Sequence, residues 1–163
     1  MKRPPRKRAA AAVAIRRARR GDIDGVVACA AALWSDAPVA EHRAHMRALL
    51  AGRPGSTLPL VVFVAEHRGR VVGFLEVGLR SHADGCDGRR PVGFVEGWFV
   101  AAAHRRSGVG GALMKAAEAW ARAQGCVEMA SDTWADNRAS VRAHVALGYE
   151  VVDRCVNFRK ALG

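Results

Sequence analysis

The 163-residue chain has no apolar run near the ~20 residues that a bilayer-crossing helix needs, so a spanning segment is excluded. Its four cysteines, at 29, 86, 126 and 155, are scattered and include no Cys-x-x-Cys. That speaks against a secreted disulfide framework and for free thiols in a reducing cytoplasm. No Gly-Lys-Ser/Thr follows its glycine-rich stretch, which rules out the kinase-type phosphate loop, and the glycine spacing is not that of a dinucleotide fingerprint. There is no internal repeat and no linker between two domains. Acidic residues are missing from positions 1–20, which hold nine of the 26 lysines and arginines. The other 17 bases face 15 acids, so the net charge of +11 is mostly an N-terminal feature. It does not make the body of the chain a nucleic-acid binder.

What remains is an ordinary soluble composition, half hydrophobic and a quarter charged, at about one domain's length. A chain of this size buries roughly 70% of its unfolded surface, enough for a core. Residues 1–14 read as a basic, disordered leader, and 15–163 as one folded domain. Strands are expected at 13–18, 58–67, 70–79, 91–100 and 127–131, with a closing pair at 149–153 and 155–159. Helices are expected at 23–34, capped by Asp22, at 39–50, from 107 to 125, and from Asp136 or Asn137 to 147. His42 and His45, three apart on the second helix, are read as solvated rather than metal-ligating, and no metal is expected. The order βααβββαβαββ implies an α/β fold, a mixed central β-sheet with helices on both faces.

The densest stretch is 97–115, Gly-Trp-Phe-Val-Ala-Ala-Ala-His-Arg-Arg-Ser-Gly-Val-Gly-Gly-Ala-Leu-Met-Lys. It reads as strand, basic turn and helix. Three glycines in one helical turn, at 108, 110 and 111, cost about 1 kcal/mol each relative to alanine and ask for a reason. Close approach of a phosphate to unpaired N–H groups at the helix start is one, with Arg105 and Arg106 adding charge there.

Arg105, Gly108 and Gly110 form Arg-x-x-Gly-x-Gly, which resembles the coenzyme A-binding signature of the GCN5-related N-acetyltransferase (GNAT) superfamily. A second signal is Asn137-Arg-Ala-Ser-Val-Arg-Ala-His-Val-Ala-Leu-Gly-Tyr149, similar to that superfamily's last helix. The resemblance covers about residues 13–160 and implies the GNAT fold, with a splayed acetyl-CoA cleft. Phe94-Val-Glu-Gly-Trp-Phe-Val100, Ala130-Ser-Asp-Thr133 and Asp153-Arg-Cys-Val-Asn-Phe-Arg-Lys160 resemble one group of bacterial aminoglycoside 6′-N-acetyltransferases.

That resemblance implies direct acetyl transfer from acetyl-CoA to an aminoglycoside 6′-amine, antibiotic resistance and a homodimer, with residues 149–160 as interface material. It implies that Glu96, Asp132 and Asp153 line the acceptor site and that Trp34 packs against it. An amine attacks a thioester only when neutral, so a base is needed. Asp132 is the first candidate and Glu96 the competing one, with Asp153 as an anchor. Backbone groups of Trp98, Phe99 and Val100 are expected to hold the pantetheine arm. N–H groups of Arg105, Arg106, Ser107, Gly108, Val109 and Gly110 are expected to receive the pyrophosphate, and Asn137 to touch the pantetheine.

Two departures from the superfamily pattern stand out. His144 occupies the place of a tyrosine that protonates the departing thiolate, and histidine can also donate a proton. Ala102 stands where a proline often precedes the turn. The alternative acceptors are a polyamine or a protein N-terminus. A nucleic-acid module built on the leader is the reading from another class, and it leaves the glycine turn and the three acids without a purpose.

Overall fold

The strands form where β-rich runs meet turn residues, and the helices where apolar residues recur every three to four positions. A computed structural model describes residues 12–53, 55 and 57–162. The first strand and two helices are β1 (Ala14–Arg17), α1 (Ile23–Leu33) and α2 (Val39–Leu50). The sheet continues with β2 (Leu60–His67), β3 (Arg70–Arg80) and β4 (Val92–Val100). It is followed by α3 (Val109–Ala123), β5 (Met129–Ser131) and α4 (Arg138–Ala146). The five strands lie side by side in chain order; all pairs are antiparallel except β4 with β5, which is parallel. This is the mixed sheet expected.

β3 is buried on both faces, which is why its sequence is almost continuously apolar. Phe74 joins Val62, Val64, Val26, Val27 and Met46 under α1 and α2, while Leu75 and Val77 join Leu113, Met114 and Ala117 under α3. The β2–β3 turn uses Arg68 and Gly69, both at positive φ (52° and 75°), as a tight hairpin of this hand requires. Gly125 and Gly148 stop α3 and α4 at φ 86° and 90°. Asn137 caps α4, its side-chain oxygen accepting the Ser140 N–H at 3.1 Å.

Four expectations are corrected. Asp22 does not cap α1 through its side chain. Its carboxylate instead accepts from the Arg16 guanidinium at 2.7 and 2.8 Å and from the Arg19 N–H at 2.8 Å. The Arg16 contact holds its carboxyl below the usual range. The leader read as 1–14 is shorter at its inner end, since Val13 packs on the core and Ala14 pairs with Glu66; positions 1–11 lie outside the described residues. β5 begins at Met129 rather than 127. The closing strand pair at 149–160 is absent: residues 150–162 carry no strand and lie exposed. A strand needs a neighbour, and β5 offers only three residues of edge.

Candidate functional site

The organising feature is a β-bulge. Glu76 of β3 sits opposite Gly97 of β4, and Val77 opposite Val95, so Glu96 is the extra residue. The bulge turns Glu96 and Gly97 toward the same face of the sheet, the one covered by α1 and α2. There Glu96 Oε1 lies 3.7 Å from where a Cβ on Gly78 would stand, and Gly97 lies against Trp34. A cleft of about 230 Å³ opens on this face, lined by His45, Glu76, Gly78 and Glu96 among others.

Both carboxylates in the cleft already have partners. Glu76 is 5% exposed, and its Oε1 lies 2.9 Å from His45 Nε2. The hydrogen bond to Glu76 raises the His45 pKa, against an opposing effect of burial. Glu96 is held through both oxygens by Arg80, Nε to Oε1 at 3.1 Å and Nη2 to Oε2 at 2.6 Å. The Arg80 guanidinium also lies over the Phe94 ring, 3.3 Å from its centroid. Trp34 ends α1 with its indole on Gly97, stacked with His42 at 6.0 Å and edge-on to Phe74 at 5.9 Å. His45 borders the cleft while remaining exposed, as read, whereas His42 is half-buried against Trp34, which corrects its reading as a solvated side chain.

On the other side of β4 the sheet splays. β5 pairs only with Gly93, Phe94 and Val95, so from Glu96 to Val100 that edge of β4 meets no strand. A pantetheine-like arm could lie along it. Val100 C=O is already taken, accepting from Arg105 Nε at 2.7 Å. Arg105 thus ties the basic turn to the strand end and sets its guanidinium 5.6 Å from the Phe99 ring centroid. Within the turn Arg106 takes φ 58°, and Ser107 Oγ donates to the His104 carbonyl at 2.6 Å. The first-turn N–H groups of α3 that follow have no intrahelical partner and could hold a phosphate.

The glycines there answer to different needs. Gly108 adopts φ 85°, with nothing within 4 Å of a Cβ. A Cβ on Gly110 would come 2.9 Å from Trp98 Cζ2, so Gly110 makes room for an indole as well as for any ligand. At Gly111 a Cβ would make only ordinary contact with Leu147, at 3.5 Å.

Trp98 stands edge-to-face with His144, ring centroids 5.2 Å apart. Its buried Nε1 has no hydrogen-bond partner among the described residues, an orphan donor that suits a site built for a ligand. Both nitrogens of His144 are engaged: Nδ1 lies 2.9 Å from Ser140 C=O and Nε2 3.0 Å from Ser131 Oγ. In the neutral ring, Nδ1–H donates to the carbonyl and Nε2 accepts from the Ser131 hydroxyl. Ser131 is the last β5 residue paired to β4, so it stands where the strands part. Tyr149 packs edge-on to His144 at 5.3 Å, its hydroxyl donating to Met114 Sδ, and burial pushes its pKa up to about 12.

Of the expected acceptor residues, Trp34 and Glu96 are together on the α1–α2 face. Asp132 directly follows Ser131, as Glu96 follows Val95, so the two begin the splay on adjacent strands. Asp132 is exposed and makes no ion pair among the described residues. Asp153 is not brought to them: it lies in the exposed tail, accepting from the Arg154 N–H. Glu76, His45, Arg80 and Ser131 were missed. Glu76 left a signal, a single acid in the apolar run Val71-Val-Gly-Phe-Leu-Glu-Val77; Arg80 and Ser131 left none. Among the described residues no group of three His, Cys, Asp or Glu could hold a metal ion.

The model of the acetyltransferase (GNAT) family matches residues 26–149. Aminoglycoside N(6′)-acetyltransferase type 1 of Klebsiella aerogenes is 42% identical over 130 residues, 80% of this chain and 84% of that protein. The protein of the same name from Serratia marcescens is 40% identical over 144 residues, 87% of this chain and 94% of its own length. Among solved structures, AAC(6′)-Iy in complex with the bisubstrate analogue CoA-S-monomethyl-acetylneamine superposes with TM-score 0.83 at 32% identity, covering 92% of this chain and 99% of that one. AAC(6′)-Iy in complex with CoA gives TM-score 0.84 at 32% identity, covering 93% and 97%.

Proposed function

The chain belongs to the acetyltransferase (GNAT) family, and from that premise we propose that it moves an acetyl group from acetyl-CoA to the 6′-amine of an aminoglycoside. Modification of that amine would confer resistance to the antibiotic. The observation that carries the reading is the two-sided site at the β4 bulge: an acidic, aromatic cleft on one face and an unpaired strand edge leading to an amide-rich helix start on the other.

Acetyl-CoA, once bound, supplies a thioester whose carbonyl carbon accepts the amine. Each residue role that follows is part of the proposal. The β4 edge at Trp98, Phe99 and Val100 aligns the donor arm, and a backbone N–H there polarises the thioester oxygen. The N–H groups from Arg106 to Gly110 receive the pyrophosphate, that of Arg105, expected among them, being donated to the Ala102 carbonyl at 3.3 Å, and Asn137 borders the arm. Trp34 forms the floor of the acceptor cleft, and Glu96 anchors an acceptor ammonium. Asp132 accepts the proton that the attacking amine gives up. As the C–S bond breaks, the thiolate would take a proton from the Ser131 hydroxyl while that oxygen receives one from the Nε2–H of a His144 ring protonated at both nitrogens. His144 itself acts from behind that serine.

Asp153 reaches an acceptor only if the tail is reseated. The tail exposes Val151, Val152, Val156, Phe158 and Leu162, the last two at 93% and 92%. This exposed apolar tail supports a homodimer in which a second copy of the chain would cover it. Four free cysteines and a dependence on acetyl-CoA support a cytoplasmic location; no helix among the described residues is long and apolar enough to cross a membrane.

The test is thiol release from acetyl-CoA with tobramycin, spermidine and a peptide amine offered separately, with the acetylated position read by mass spectrometry and NMR. Release with tobramycin and modification at the 6′-amine is expected. No release with any aminoglycoside overturns the assignment, and release with spermidine or the peptide alone moves it to another amine.

A further inference from the structure

The acid best placed to anchor a cationic acceptor is not free. Arg80, at the end of β3, grips both oxygens of Glu96 in the side-on geometry that makes arginine–carboxylate pairs strong. A guanidinium in a cleft meant for a polycation would repel the acceptor if it stayed in place. Two features, its partial solvation and the bulge that carries its partner, allow it to leave. The pair is partly solvated, with side chains 42% and 29% exposed, so breaking it is cheap compared with breaking a buried one. The Arg80 guanidinium lies over the Phe94 ring while it grips Glu96, so displacement need only turn the guanidinium away from the carboxylate. And Glu96 projects from a bulge, out of the ladder on either side, so its carboxylate can exchange partners without disturbing the sheet.

We propose that Arg80 is an internal counter-ion that occupies the acceptor-ammonium position on Glu96 and is displaced by the acceptor. One cation replaces another, so the Glu96 carboxylate is never left unpaired beside the apolar sheet. An acceptor without an ammonium group cannot make the exchange, which makes Arg80 a specificity-determining residue that admits polycations and keeps neutral sugars out. The proposal rests on the assignment of Glu96 to the acceptor site.

The experiment measures binding rather than turnover, so that it stands apart from the identity of the true acceptor. Tobramycin and spermidine are titrated calorimetrically into the CoA-saturated wild type and the Arg80→Gln variant, with circular dichroism confirming the fold. The variant, its Glu96 unopposed, is expected to bind both about threefold more tightly or better, to show a steeper loss of affinity with salt, and to keep the wild-type affinity for CoA. An unchanged or weakened affinity for both cations overturns the proposal. If Arg80→Gln does not fold, Arg80→Lys decides: it keeps the charge but loses the two-oxygen grip, so tighter binding than wild type supports displacement and equal or weaker binding refutes it. Failure of the aminoglycoside assignment would show instead as absent tobramycin turnover by the wild type.

Discussion

Gly97→Ala is the substitution that most directly tests how the cleft is built. A Cβ at 97 would stand 2.6 Å from Trp34 Cζ2 and 3.4 Å from Leu33 Cδ2. The first distance is far inside van der Waals contact. The indole has no easy retreat, since His42 stacks on it and the Phe74 ring meets it from below. Overpacking of this kind costs about 1–3 kcal/mol. For a domain of this length each kcal/mol lowers Tm by about 2–4 °C, so Gly97→Ala should melt about 2–12 °C below wild type. With Trp34 as the proposed floor of the acceptor cleft, the acceptor KM should rise while the acetyl-CoA KM stays put. A double-mutant cycle isolates the cause. In a Trp34→Leu background the added methyl has room, and the penalty should shrink by about 1 kcal/mol or more, measured by urea denaturation. If Gly97→Ala melts with wild type, or if the two substitutions add without coupling, the packing argument is wrong.

The remaining predictions concern proton transfer and charge. Ser131→Ala and His144→Phe should each lower kcat, by up to about 10²-fold, and the double variant should be no slower than the worse single one, because the two act as one path. Multiplicative losses in stopped-flow thiol release would separate them. Asp132→Asn should sharply reduce kcat, whereas Glu96→Gln should chiefly raise the acceptor KM; full retention of rate in Asp132→Asn would move the base elsewhere. The His45–Glu76 contact raises the His45 pKa, so its stabilisation is present in full below the unfolded value of about 6.5 and fades as pH climbs through the folded value. His45→Gln should therefore destabilise the protein more at pH 6 than at pH 9. The difference should be at most about 1 kcal/mol, since the His45 side chain is 46% exposed. Equal losses at the two pH values in urea titrations would refute the linkage.

The ladder of elements was legible because it depends on local chemistry. α2 spans the expected residues, and the Arg68-Gly69 turn and the Asn137 cap lie where turn and cap residues indicated. What was not legible depends on register. Nothing in Val95-Glu-Gly97 announces a bulge, yet the bulge decides that Glu96 shares a face with Glu76 and Trp34. The glycines were legible as a demand for space or unusual backbone but not as to which, and Gly110 serves Trp98. Arg80 was invisible as a partner because sixteen residues and a loop separate it from Glu96. The tail misled for the opposite reason. Its Val, Cys and Phe residues read as strand, but among the described residues no strand of the sheet lies beside it.

Those pairings also bear on how the proposed anchor and the proposed base take different parts. A base must present a lone pair toward the attacking amine. Glu96 has both oxygens committed to a guanidinium, and once an acceptor displaces Arg80 they are committed to an ammonium; in either state the carboxylate works as a fixed negative charge. Asp132 has no such cation, is open to solvent and follows the strand that carries Ser131. On the proposed assignment, the proton leaving the amine and the proton needed by the thiolate are handled by neighbours, Asp132 and Ser131, one residue apart at the point where β4 and β5 separate. In that assignment the bulge keeps the anchoring charge on one strand and the proton-handling groups on the other, and the fold would divide binding from chemistry.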